Sequence, residues 1–141
     1  MSPESTKDIS IDAVREIVAE KGYEVVNQDE NALNIRDLET GVIVTLALEN
    51  DVLFNTVSCA TVPQSSLGTD VMQTMLDAEN GISTSSFQVY KVSDEKVSIT
   101  LNNLCKLQAM GEDDKDDILS CISFLIVDTF AARELLRNLI K

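Results

Sequence analysis

The sequence predicts an α+β fold built on an antiparallel sheet, and three observations carry that prediction. Apolar residues recur at helical spacing in three separated stretches. Between them lie short β-branched runs joined by brief polar turns, which is how consecutive antiparallel strands connect. The last stretch, Asp113 to Lys141, contains neither Gly nor Pro and is wider in its apolar face than a one-sided surface helix. The order is helix, three or four strands, helix, two strands, helix; it lacks the βαβ alternation of a parallel sheet.

Residues 1–7 are polar and are expected to form a disordered tail, with 8–141 a single domain, as suits a chain of 141 residues. Ser5, Thr6 or Asp8 is placed to cap the first helix. Its apolar face is Ile11, Val14, Ile17 and Val18, with Asp12, Arg15, Glu16 and Glu20 outward, and Gly22 ends it in a left-handed position. Strands follow over Tyr23 to Gln28, Ala32 to Asp37, Val42 to Leu48 and Val52 to Val62. Turns at Asp29-Glu30-Asn31, Glu39-Thr40-Gly41 and Glu49-Asn50-Asp51 separate them. The nearly all-apolar Val42 to Leu48 belongs in the middle of the sheet.

Pro63-Gln-Ser-Ser breaks the sheet, and a second helix is expected over Leu67 to Glu79, capped near Ser66 or Thr69 and closed by Asn80-Gly81. A hairpin follows, Phe87 to Val92 and Val97 to Leu104, with Phe87, Val89 and Lys91 matched across to Val97, Ile99 and Leu101. In the closing helix, apolar residues at 118, 122, 125, 132, 136 and 139 keep spacings of three, four and seven. A second apolar row adds Leu119, Ile126, Val127 and Phe130. A helix so greasy needs cover on two sides, one by its own sheet and one by something else.

Composition narrows the function. The chain has 24 acidic and 11 basic residues, a net charge of −13, and no Lys or Arg from Asp37 to Tyr90. That field repels a phosphate backbone, so no nucleic-acid partner is expected. Aromatics make up only 4% of the chain, too few for base-stacking surfaces. The longest uncharged apolar run, Ile118 to Val127, is too short to insert across a membrane. The N-terminus has no apolar leader, and Cys59, Cys105 and Cys121 are odd in number and widely spaced. A cytoplasmic location with reduced thiols is the expectation.

Histidine is absent, which removes Ser-His-Asp and Cys-His catalysis and the commonest metal ligand. No phosphate loop, dinucleotide fingerprint or nucleophile elbow occurs. The acidic run Glu112 to Asp117 offers acids at loop positions one, three and five of a calcium loop. However, Asp117 stands where glycine is needed and Ser123 where the bidentate glutamate belongs. A helix cap by Asp113 or Asp114 explains the run better. No cofactor or metal is expected. Cys59 and Cys121 are expected as small core residues; Cys105, placed in a loop beside Lys106, is the one candidate for a lowered pKa, and a single neighbouring lysine is weak support for a reactive thiol.

The order of elements, the size and the acidity resemble the type III secretion chaperone-like fold, and within it the YbjN-like and YjfI-like bacterial families. The residues that carry this are Gly22-Tyr23 after the first helix and Leu76-Asp77-Ala78-Glu79-Asn80 ending the second. Thr84-Ser85-Ser86-Phe87 enters the hairpin, and Asp116-Asp117-Ile118-Leu119 starts the last helix. The resemblance implies the order α-βββ-α-ββ-α and a dimeric protein with a protein-binding or regulatory role. For YjfI-like proteins it also implies genomic company with a PspA-type membrane-stress protein.

The resulting expectation is a non-enzymatic, chaperone-like module acting as a homodimer, with Val71, Met72, Met75, Leu76, Phe124 and Phe130 as apolar contacts. A basic amphipathic segment is the expected protein partner. The alternatives are a regulator of an envelope or stress response that binds another protein, and an enzyme gathering carboxylates around a divalent ion.

Overall fold

A computed structural model describes residues 8–140; the tail expected over residues 1–7 and the final Lys141 lie outside the described residues. The elements are α1 (Ile11–Lys21), β1 (Glu24–Gln28), β2 (Ala32–Arg36), β3 (Ile43–Glu49), β4 (Val52–Pro63), a 3-10 turn at Gln64–Ser66, α2 (Thr69–Leu76), β5 (Ser86–Lys91), β6 (Lys96–Lys106) and α3 (Glu112–Leu139). The class is α+β, with one six-stranded antiparallel sheet in the order β1-β2-β3-β4-β6-β5. The first strand run has four members, and the apolar β3 lies inside the sheet. By contact the chain divides into two compact units. One holds the described residues up to Asn55 with Leu104–Ser123, and the other holds Thr56–Asn103 with the chain from Phe124 onward.

In the first unit, α1 is capped by Ser10, whose Oγ accepts from the Ala13 N–H at 3.1 Å. Asp8 does not fill that role, and Ser5 and Thr6 lie outside the described residues. Gly22 closes the helix at φ 107°, and its N–H and that of Tyr23 reach back to the Ala19 and Val18 carbonyls. β1 carries a bulge between Val25 and Asn27, a usual device on an edge strand, where it discourages further pairing. Leu33, Ile35, Val44, Leu46, Leu53, Leu107, Ile118 and Ile122 form a fully buried aliphatic core.

The loop from β6 to α3 holds Ala109 and Met110 at φ 89° and 59°. Such values cost non-glycine residues energy, so the surroundings must enforce them. Buried Asp114 does so: its Oδ2 accepts from the Gln108 and Met110 N–H groups at 2.6 and 2.8 Å. Asp114 therefore ties down the loop that precedes α3, a role different from the helix cap expected of Asp113 or Asp114.

In the second unit, β5 and β6 pair in the expected register, with Phe87 opposite Leu101, Val89 opposite Ile99 and Lys91 opposite Val97. α2 is shorter than its periodicity implies. Asp77 turns extended (φ −65°, ψ 137°), its Oδ1 accepts from the Glu79 N–H at 2.8 Å, and Asn80 Nδ2 donates to the Met75 carbonyl at 2.5 Å. Local side-chain bonds outcompete the next helical turn. Gly68 stands at the N-cap with no side-chain bond, so neither Ser66 nor Thr69 caps α2. Val57, Met75, Phe87, Val97, Ile99, Leu101, Leu125, Ala132 and Leu136 make this unit's core.

Candidate protein-docking surface

α3 runs for 28 residues because nothing in it interrupts a helix. Glu112, Asp113 and Asp114 sit in its first turn and Arg137 in its last, each complementing the nearby end of the helix dipole. Within the second unit its inward row is Leu125, Ile126, Thr129, Ala132 and Leu136, all buried. Polar Thr129 is tolerated there because its hydroxyl donates to the Leu125 carbonyl at 2.7 Å.

The outward row is unlike that of an ordinary surface helix. Phe124, Val127 and Phe130 are 53%, 64% and 49% exposed. At 3.6 residues per turn, residues three apart step by roughly 60°, so the three fan across about a third of the helix, with Val127 about 180° from Leu136. Ala131 is exposed among them. Scattered exposed apolar residues are normal, but a run of large ones on one face marks a contact surface.

One turn beyond Phe124, buried Asp128 fixes the segment that enters the hairpin. Its Oδ2 accepts from the Thr84 N–H (3.1 Å), the Thr84 hydroxyl (2.8 Å) and the Ser85 hydroxyl (3.0 Å). Asp128 thus interrupts the apolar sequence of α3 without placing a charge on its outer face.

The other expected contact residues divide. Leu76 is 74% exposed, Met72 is exposed and Val71 half-buried. Met75, at 3% exposure, belongs to the core instead, since it lies on the inward side of α2. Val127, the most exposed apolar residue of α3, was not among the expected contacts; the spacing 124-127-130 was its signal. Val89 and Tyr90 of β5 add exposed apolar area in the same unit.

The remaining candidate chemistry sits elsewhere. Beside the acidic run is an open cleft of about 370 Å³ lined by Lys106, Gln108, Asp113, Asp114, Asp116 and Asp117. Among the described residues no group of three or more Cys, Asp or Glu is gathered as a metal site. Cys105 is not in a loop: β6 runs on to Lys106, which buries the thiol. Cys105 and Cys121 hydrogen-bond to each other, and this bond is the main cause of both shifts. Cys105 keeps its proton, with its pKa raised by the bond, by burial and by the charges of Asp117 and Asp114. The pKa of Cys121 falls to about 7, against the opposing effects of burial and Asp117. The lowered thiol is therefore Cys121, not Cys105. Burial raises Cys59, partly offset by Arg133. No helix among the described residues is long and apolar enough to cross a membrane.

No family model matches the sequence, and no curated protein does either. The fold itself has a solved counterpart. The chain is similar to the crystal structure of YbjN from E. coli, presented there as a candidate transcription regulator. The TM-score is 0.71 at 9% sequence identity, over 96% of this chain and 98% of that one. The architecture is thus YbjN-like, in keeping with the resemblance seen in the sequence.

Proposed function

We propose that this chain is a non-enzymatic docking module that binds another protein through the outer face of α3. The observation that carries this reading is the exposure of Phe124, Val127 and Phe130 on one face of a helix whose opposite face is already buried. Each is already partly covered, so burying the remaining half or so is worth about 1 kcal/mol apiece. A stable interface needs about 800 Å² per partner, more than three residues supply. Met72, Leu76 and one of Val89 and Tyr90, which lie on opposite faces of β5, are the exposed apolar residues of the same unit from which this reading draws the rest. The net charge of −13 favours a partner segment with apolar anchors flanked by Lys or Arg, which it would also steer into contact. The action is cytoplasmic, on this reading, and needs no cofactor.

A homodimer is the second reading. It is favoured by the lack of any charged residue other than buried Asp128 between Asp117 and Arg133, so two copies could pair face to face without like charges opposed at the centre. The description of YbjN as a candidate transcription regulator favours a regulatory use of either complex, exerted through protein and not through the nucleic acid that this charge repels. Sedimentation of the wild type and of Phe130→Asp, with and without a basic amphipathic helical peptide as probe, tests the proposal. Wild-type association that the substitution abolishes supports it; a wild type that stays monomeric and ignores the peptide removes both readings.

A further inference from the structure

The first unit holds a second reactive feature, independent of the docking surface. Cys105 near the end of β6 is buried, while Cys121 on α3 is only half-buried and so reachable from solvent. The Cys121 thiol also donates to the Leu104 carbonyl at 3.8 Å, which sets its sulfur against the strand backbone next to Cys105; ionisation of Cys121 gives up that bond and keeps the one from Cys105. The two thiols share a hydrogen bond, and no disulfide joins them. Between them runs the loop with left-handed Ala109 and Met110.

We propose that Cys105 and Cys121 form a peroxide-responsive dithiol, in which Cys121 is the attacking sulfur and Cys105 the resolving one. The Cys121 thiolate attacks a hydroperoxide, the O–O bond breaks, and the sulfur becomes a sulfenic acid as hydroxide or alkoxide leaves. The Cys105 sulfur then displaces the sulfenic oxygen, which departs with the Cys105 proton as water. The sum is two thiols and one peroxide giving one disulfide, water and the reduced peroxide. The bond that Cys105 donates to Cys121 assigns the roles, since it stabilises a thiolate on Cys121 and keeps the proton on Cys105. Asp114 and Asp117, the acids of α3 nearest the pair, repel anionic oxidants such as glutathione disulfide and leave a small neutral peroxide as the fitting reagent.

The test treats the full-length reduced protein with hydrogen peroxide and maps its peptides by mass spectrometry. The expected product has lost two hydrogens, carries one intramolecular Cys105–Cys121 link and retains the Cys59 thiol. In Cys105→Ser, Cys121 should accumulate as a sulfenic acid trapped by dimedone. The alkylation midpoint of Cys121 should also climb from about 7 toward that of an ordinary thiol. Three results would overturn the proposal: chain-to-chain dimers through Cys59, over-oxidation of Cys121 beside an intact Cys105 thiol in the wild type, or no thiol loss. The wild-type peptide map decides even if the buried substitution disturbs folding.

Discussion

α1 and α3 each bury one apolar row, yet they turn different chemistry outward. On α1 the inward row is Ile11, Val14 and Val18, and Asp12, Arg15, Glu16 and Glu20 are exposed. On α3 the inward row is just as complete, but Phe124, Val127 and Phe130 face out. A helix that serves only its own core pairs one apolar face with a charged one, as α1 does. About half of Phe124 and Phe130 and more than half of Val127 stay uncovered by the chain itself, and that uncovered area is what the proposed docking would bury.

Substitutions should separate the two faces by size of effect. Leu125→Ala, on the inward row, should lose about 2–5 kcal/mol of stability in chemical denaturation, because it leaves a cavity. Asp128→Ala should cost about 1–3 kcal/mol, since three donors of Thr84 and Ser85 lose their acceptor. Hydrogen exchange should then rise at Thr84. Removing the α1 cap with Ser10→Ala should cost about 1 kcal/mol. Phe130→Ser on the outward row, where about half the side chain is already covered, should cost about 1 kcal/mol or less while weakening association. A core-sized loss at Phe130 would erase the distinction between the faces and make its exposure incidental.

Much of the fold was legible because local and tertiary signals agree. The α1 stripe, Gly22, the strand turns and the β5–β6 register all follow from period and turn chemistry. Periodicity failed where side chains compete with the backbone. α2 stops at Leu76 because Asp77 and Asn80 bond locally, and β6 continues to Lys106, carrying Cys105 from an expected loop into the core. The surface was half legible. The excess width of the α3 stripe foretold an uncovered face, but α2 is too short for spacing alone to show which of Val71, Met72, Met75 and Leu76 turns inward. The thiol pair was invisible, because proximity between Cys105 and Cys121 is a product of the fold.

The most direct test is photo-crosslinking in the native cell, with a photoreactive side chain at Val127 and, as control, at exposed Ala19 of α1. The docking account predicts a discrete crosslinked protein from position 127, either a second copy or a different chain, and none from position 19. Equal capture from both positions, or no crosslink from 127, would contradict it.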